Sequence, residues 1–272
     1  MIELRAELAD YFSGSDAFER ILGLQGAVYR QLAGRRTIRW ELDGRGYFVK
    51  LHFGVGWREI FKNLLTFRLP VLGAENEYLA IRRLEELGVP TMTIAGYGRR
   101  GWNPARQQSF LITDELVDVV SLEDYCRDWC RQPPAPRRKW ALIREVAHIA
   151  RVLHENGVNH RDFYLCHFLA DRPSLATTQP RLNVIDLHRV HIRTTVPQRW
   201  LVKDLGGLLF STFDIGLNRR DWLRFLREYR RQPLRKSLME QKGFWHKVLA
   251  RALQIYRRDF GRLPCLPRGV HG

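Results

Sequence analysis

The first part of the chain alternates apolar and polar positions over short segments that turn signals separate. Gly34 and the Asp43-Gly44 pair fall between such segments, where a hairpin needs residues that tolerate a left-handed backbone. The alternation predicts an antiparallel sheet in this part of the chain. Five strands are predicted, at residues 28–32, 37–42, 46–52, 93–98 and 108–113.

Helical periodicity interrupts the strands once and then dominates after residue 120. The inserted helix spans 74–88: Ala80, Ile81, Leu84 and Leu87 share one face, and Gly88 closes it. A short helix at 15–22, with Asp16 and Glu19 as a capping box, precedes the strands. The long helix has an apolar stripe of Leu142, Val146, Ile149 and Leu153. Further helices are predicted at 121–130, 137–156 and within 200–260.

This order of elements predicts an α+β protein with two lobes. Residues 1–116 form a β-rich lobe with one main helix, and residues 117–272 form an α-rich lobe. Within the first lobe, residues 57–69 form an amphipathic and basic segment. No apolar run approaches the length of a membrane span, and the N-terminus has no secretory h-region, so a cytoplasmic protein is expected.

Composition adds an anionic partner to this picture. The formal net charge is +16, and 38 of the 45 basic residues are arginines, whose guanidinium groups match carboxylates and phosphates. The basic residues are spread over every segment and form no known nucleic-acid motif, so nucleic acid is not expected as the partner. The four cysteines include one C-x3-C pair without a second pair, which is a poor zinc signature.

Four features in a fixed order carry the chemistry, and the first two lie in the β-rich lobe. Lys50 ends the segment Phe48-Val49-Lys50, where a lysine on a sheet can hold the phosphates of ATP. Glu77 falls on the apolar face of the 74–88 helix. A carboxylate in that position needs a cation, and Lys50 is the expected partner.

The other two features lie in the α-rich lobe. Residues 159–169 (NHRDFYLCHFL) match the kinase catalytic loop H-R-D-x4-N except at its last position, where His167 replaces the metal-binding Asn. Asp162 is the predicted acceptor of a hydroxyl proton. Residues 182–188 (LNVIDLH) place Asp186 after an apolar strand, where a kinase has its metal-binding Asp, although Leu187 and His188 replace Phe-Gly.

Together these features predict an ATP-dependent kinase that binds its nucleotide between two lobes. The turn at Gly34 and Arg35 is not G-x-G-x-x-G, but its backbone and guanidinium groups are candidates for covering the phosphates. The backbone at Glu115, near the boundary of the two lobes, is a candidate for binding adenine. Mg²⁺ is the expected metal, with Asp186 and His167 as candidate ligands, and a hydrogen bond to Asp162 or to a phosphate is the alternative role for His167.

The chain resembles the lipopolysaccharide core heptose(I) kinases of Gram-negative bacteria over nearly its whole length. The resemblance is carried by residues 34–37 (GRRT), 43–50 (DGRGYFVK), 157–162 (GVNHRD), 166–169 (CHFL), 184–189 (VIDLHR) and 203–205 (KDL). It implies a protein-kinase-like fold, ATP and Mg²⁺, and transfer of a phosphoryl group to the first heptose of the inner core. It also implies work at the cytoplasmic face of the inner membrane, against its anionic surface.

The resemblance also implies roles for individual residues. Asp162 is implied as the catalytic base, Asp186 as a metal ligand, Lys50 as the phosphate clamp with Glu77 as its partner, and Asp204 as a structural support of the catalytic loop. Acyl carrier protein, which is strongly acidic, is implied as a possible partner. Since the chain lacks D-F-G and A-P-E, a sugar acceptor is favoured over a protein.

Three alternatives remain open at this point. The first is an enzyme of the same fold that acts on Kdo or on protein tyrosine. The second is an inactive kinase-like module that only binds an anionic partner, although retention of Lys50, Asp162 and Asp186 argues against it. The third, a basic nucleic-acid-binding protein, has the least support.

Overall fold

The computed structural model describes residues 1–14, 16–32, 34–54, 56–57, 73–103 and 105–266. The chain divides into two compact units. The first contains Met1–Arg83 and Met92–Val117, and the second contains Leu84–Thr91 and the chain from Asp118 onward. The amphipathic segment predicted at 57–69 lies outside the described residues except for Trp57.

The first unit is built on a six-stranded antiparallel sheet. The strands are β1 (Ile2–Leu4), β2 (Ala27–Leu32), β3 (Arg35–Leu42), β4 (Arg45–His52), β5 (Ile94–Arg100) and β6 (Gln108–Asp114). Their order in the sheet is β1-β5-β6-β4-β3-β2. The five predicted strands are all present, and β1 is an additional strand that is too short to show an alternation.

Strand β4 is central in this sheet and sends alternate side chains to opposite faces. Tyr47, Val49 and Leu51 are buried in the core, where they pack with residues of two short helices, α1 (Ala6–Tyr11) and α2 (Ala17–Leu22). Lys50 lies between Val49 and Leu51 and therefore belongs to the other face of the strand. The alternation thus separates the apolar core from the charged side chain.

The inserted helix α3 spans Glu75–Glu86, close to the predicted 74–88. Ala80, Ile81 and Leu84 are fully buried, as the apolar face required. Gly88 follows with a positive φ of 67°, the left-handed conformation that ends many helices. Glu77 is 3% exposed, so a carboxylate is buried on the same face.

The second unit is mainly helical. Its longest helix contains the predicted stripe, and all four of its members are buried. The helices after α3 are α4 (Leu122–Cys126), α5 (Pro136–Glu155), α6 (Gln198–Phe210), α7 (Arg219–Arg230), α8 (Leu234–Glu240) and α9 (Lys242–Phe260). Helix α9 packs against α6, and α7 packs against α5.

The helix predicted at 121–130 is shorter in the structure. It ends at Cys126, because the following residues form turns: the Trp129 amide donates to the Cys126 carbonyl three residues back. Among the described residues, no helix combines the length and the apolar character that crossing a bilayer requires.

Short strands connect the helices of the second unit. One sheet has the order β10-β9-β7, and β8 pairs with β11. Three 3₁₀ turns, at Leu165–His167, Pro173–Ala176 and Leu187–Arg189, lie among them. The strands are β7 (Val119–Ser121), β8 (Val158–Asn159), β9 (Phe168–Asp171), β10 (Leu182–Val184) and β11 (His191–Ile192).

Gly157, just before β8, tests this packing. Its φ is +77°, its carbonyl accepts from the Arg193 amide at 2.9 Å, and a Cβ there would stand 1.7 Å from the Arg193 carbonyl oxygen. We expect Gly157→Ala to lower the free energy of unfolding by about 3 kcal/mol, from strain and overlap together. Chemical denaturation followed by circular dichroism measures this loss.

Gly44, in the turn between β3 and β4, is the matched control, because its φ is +75° but a Cβ there would have no atom within 4 Å. Gly44→Ala should therefore cost only about 1 kcal/mol, from the left-handed backbone alone. Equal losses in the two variants would contradict the close approach of Gly157 to Arg193.

Candidate active site

In the first unit, Lys50 and Glu77 form the ion pair that the sequence predicted. Lys50 Nζ lies 2.6 Å from Glu77 Oε1, which joins the central strand β4 to helix α3. The Glu77 side chain is 3% exposed and that of Lys50 is 26% exposed. Because Lys50 keeps solvent access while Glu77 fixes its position, the ammonium group is available to a phosphate.

Two further candidates lie in the same unit. Gly34 has a φ of +76° in the turn that leads into β3, and its carbonyl accepts from the Phe53 amide at 2.8 Å. Arg35 begins β3 and is half-buried. Gly34 and Arg35 border an open groove between this turn and the end of α2, together with Gln25 and Gln31. Their contact with phosphate remains a prediction.

Glu115 follows β6 and is already engaged. Its amide donates to the Gly46 carbonyl at 2.9 Å, and its carboxylate pairs with Arg39 at 2.8 Å. A donor for adenine at this position is therefore not its own N–H. The predicted backbone contact with adenine therefore has to come from the Glu115 carbonyl or from the residues that follow it.

In the second unit, Asp204 holds the catalytic loop. Its side chain is fully buried on helix α6 and accepts from the backbone amides of His160 at 2.6 Å and Arg161 at 2.8 Å. His154 Nε2 lies 3.4 Å away. Arg161 takes a positive φ of 74°, which turns the chain sharply just before Asp162. Asp204 thus has the supporting position that the resemblance implied.

Asp162 presents its carboxylate beside a cation. Arg189 Nη1 lies 3.0 and 2.9 Å from its two oxygens, and the side chain is 18% exposed. The Asp162 carbonyl is held separately, by the ring of His167 at 2.6 Å. A carboxylate that is fixed in position and reachable from solvent is a candidate proton acceptor.

The side chains of Asp186 and His167, the two candidate metal ligands, lie close to each other. Asp186 has a left-handed backbone, with φ of 60°, and its Oδ1 lies 2.5 Å from His188 Nδ1. His167 Nε2 is 3.4 Å from the other oxygen, Oδ2. The Ile185 amide donates to the His167 carbonyl at 3.0 Å, so the two candidate ligands are tied together by the backbone as well.

The donor set is compatible with a divalent cation. The Asp162 carbonyl can only accept, so His167 Nδ1 carries a proton, and in a neutral ring the lone pair of Nε2 would face Asp186. A cation between Nε2 and the Asp186 carboxylate would be held by both atoms. In the described part of the chain no three acids, histidines or cysteines cluster as a closed metal site. Mg²⁺ commonly uses few protein ligands together with phosphates.

His160 has a supporting role in this geometry. It is 1% exposed, its Nε2 lies 3.0 Å from the Ile185 carbonyl, and its ring stacks on that of His167. Burial lowers the pKa of His160, so its neutral form is favoured. His160 therefore connects the catalytic loop to the segment of Asp186 without adding a charge.

Arg189 and His188 are the functional candidates that motif spacing alone did not single out. Each contacts one of the candidate carboxylates, Arg189 that of Asp162 and His188 that of Asp186. The available signal was their position directly after the candidate metal ligand. Sequence position does not show the direction in which a side chain of a 3₁₀ segment points.

With this geometry in place, comparison with known proteins is informative. Residues 19–229 match the model of the lipopolysaccharide kinase (Kdo/WaaP) family. The chain belongs to this family. It is therefore a phosphotransferase of the kinase type, for which ATP is the phosphoryl donor, and the predicted kinase assignment is confirmed.

Named relatives match over almost their full length. The chain is 54% identical over 249 residues to the lipopolysaccharide core heptose(I) kinase WaaP of Pseudomonas aeruginosa, covering 91% of this chain and 92% of that protein. It is 47% identical over 259 residues to WaaP of Escherichia coli K12, covering 95% and 98%.

A solved structure of WaaP in complex with acyl carrier protein is also similar. Its TM-score is 0.82 at 47% sequence identity, and the match covers 94% of this chain and 99% of that one. The predicted α+β, protein-kinase-like architecture is confirmed by this similarity and by the strands and helices described above.

The Lys50–Glu77 pair allows a quantitative test. Lys50→Met leaves the buried Glu77 carboxylate without its partner, so we expect the free energy of unfolding to fall by about 1–3 kcal/mol. Adding Glu77→Gln removes the orphaned charge and should restore part of the loss. Urea denaturation of the single and double variants measures the coupling.

The matched control is the Arg99–Glu75 pair. Glu75 lies on the same helix as Glu77, but the side chains of Arg99 and Glu75 are 42% and 47% exposed. Arg99→Met should change the free energy of unfolding by less than about 1 kcal/mol. An equally small effect of Lys50→Met would show that Glu77 does not depend on Lys50.

Proposed function

We propose that the chain transfers the γ-phosphoryl group of ATP to a hydroxyl of the first heptose of the lipopolysaccharide inner core. The observation that carries the proposal is the identity of 46–54% to proteins of that name, over at least 91% of this chain. The site supports it, since Asp162 and Asp186 lie in one unit and Asp204 anchors the backbone just before Asp162.

The proposed roles follow from the geometry of each side chain. Asp162 accepts the proton of the attacking hydroxyl, and Arg189 holds its carboxylate in position. Lys50, fixed by Glu77, binds the phosphates, and the turn at Gly34 and Arg35 covers them. The backbone carbonyl of Glu115 accepts a hydrogen bond from adenine.

Magnesium is proposed as the metal, with Asp186 as its main protein ligand and His167 as the second. When bound, Mg²⁺ would neutralise charge that develops on the phosphoryl oxygens. The protein contributes the positions of the two ligands, which the Ile185–His167 backbone hydrogen bond and the His188 contact fix.

The test offers labelled ATP with three acceptors: heptose-containing core, heptose-deficient core and a tyrosine peptide, each with and without Mg²⁺. We expect labelling of the heptose-containing core alone, and only with Mg²⁺. Asp162→Asn keeps the shape but removes the base, so the rate should fall about 10² to 10⁴-fold. Asp186→Asn should raise the Mg²⁺ concentration that half-saturates the reaction.

Asp128→Asn is the control, because Asp128 is an exposed aspartate of the same unit outside the site. Its rate should equal that of the parent chain. Labelling of both cores would indicate Kdo as the acceptor, and preference for the peptide would indicate a tyrosine kinase. The absence of any labelling would favour the alternative of an inactive kinase-like module.

We further propose that the chain works at the anionic cytoplasmic face of the inner membrane and associates with acyl carrier protein. The charge of +16 supports attraction to both, because each Lys or Arg near such a surface contributes roughly 1 kcal/mol. Helix α7 adds a run of arginines suited to an acidic partner, at positions 219, 220, 224, 227 and 230.

A cavity in the second unit supports the association with acyl carrier protein. It measures about 810 Å³, within the range of ligand sites. Leucine and other apolar side chains of α5, α6, α7 and α9 line most of it, among them Leu142, Leu209, Leu226 and Leu249. An acyl chain carried by the partner fits an apolar cavity of this kind.

Size-exclusion binding with the acylated and the unacylated carrier protein tests this association. The cavity predicts that the acylated form binds at least about tenfold more tightly, because burial of methylenes adds to the charged contact. Leu209→Trp fills cavity volume and should remove the preference without removing the charged contact. Equal binding of both forms by the parent chain would leave the cavity without a role in the complex.

A further inference from the structure

Four cations of the second unit surround one tryptophan. Arg161, Arg193, Arg199 and Lys203 lie with their charged groups 5.1, 5.7, 5.5 and 5.3 Å from the ring of Trp200. We call these five residues the Trp200 cluster. They come from the catalytic loop, from the segment after β11 and from helix α6, so the tertiary fold assembles the charges.

The cluster has little negative charge to balance it. Within the described ranges, none of its four cations forms an ion pair with an acid, whereas the neighbouring Arg189 pairs with Asp162. Asp204 is close in sequence but is occupied by the amides of His160 and Arg161. Burial, and then the charges of Arg161 and Arg189, lower the pKa of Lys203.

His191 shows the same excess of donors. Arg161 Nη1 lies 2.9 Å from its Nε2, and Arg193 Nη2 lies 2.7 Å from its Nδ1. A neutral imidazole has only one lone pair, so it can accept from only one of these guanidinium groups. Burial and the surrounding cations lower the pKa of His191 to about 4. One guanidinium N–H therefore lacks a good acceptor here.

The cluster adjoins the proposed base and is open to a ligand. Arg161 immediately precedes Asp162, Arg199 is exposed, and the other three cations are half-buried. Cations that have no acidic partner among the described residues and lie beside the proposed base form a site for a further anion.

We propose that the Trp200 cluster binds a carboxylate or phosphate group of the sugar acceptor and so directs a nearby hydroxyl to Asp162. The proposal rests on the proposed function for the identity of the acceptor. Guanidinium groups can hold such an anion through paired N–H donors, and an anion would also satisfy the N–H left over at His191. The cluster would thus determine specificity for an acidic sugar.

Steady-state kinetics of Arg199→Gln and Lys203→Gln test the proposal with heptose-containing core. We expect KM for the core to rise about tenfold in each variant, with kcat and KM for ATP within about twofold of the parent. Two treated cores locate the anion: one with its carboxyl groups reduced to alcohols, the other dephosphorylated. The core that lacks the recognised group should give the same KM with variant and parent enzymes.

Arg138→Gln is the control, because it removes the same charge from an exposed position on α5. An equal rise of KM in this variant would overturn the proposal in favour of general attraction to the basic surface. A fall in kcat at unchanged KM, or a phosphoryl group found on the chain itself and bound by these cations, would also overturn it. If the parent chain labels no heptose core, the proposed function fails; if it does and both variants match it, only this inference fails.

Discussion

The buried carboxylate of Asp204 is the interaction on which the second unit's site depends. Its side chain is fully buried, and two backbone amides and one imidazole surround it. An isolated charge in such a place would be very unfavourable, but amide donors aimed at it replace the lost water. Because the amides belong to His160 and Arg161, satisfying this charge also fixes the backbone that presents Asp162.

Carboxylates in both units fall into a buried and an accessible group. Glu77 and Asp204 are buried and position other groups, whereas Asp162 and Asp186 retain solvent access and face cations or imidazoles. The proposed roles of Asp162 and Asp186 need this access, because a carboxylate that exchanges protons or ligands has to remain open to them.

The sequence was sufficient for the elements with strong periodicity or turn chemistry. The strands around Lys50, the stripe of Leu142 and Val146, and the terminating Gly88 followed from spacing alone, because each pattern has one regular solution. The buried position of Glu77 followed in the same way. Strand β1 and the short helix α1 escaped because three to six residues are too few to show a period.

Side-chain directions in irregular segments could not be obtained from spacing. The contact of Arg189 with Asp162 and the Trp200 cluster depend on 3₁₀ turns and on residues far apart in sequence. Spacing also could not show that the Glu115 amide is engaged, because its partner, the Gly46 carbonyl, comes from another strand of the sheet. In each case the missing information is tertiary: it concerns which group meets which after the chain has folded.

The left-handed backbone at Arg161 and Asp186 has a consequence for how the protein responds to heat. Such a conformation costs an L-residue roughly 1–2 kcal/mol, and here two of them bracket the chemistry. Both strained positions are held in place by contacts from elsewhere in the unit. The catalytic loop is therefore the part that relaxes first when those contacts weaken, so thermal inactivation should precede the melting of the surrounding helices.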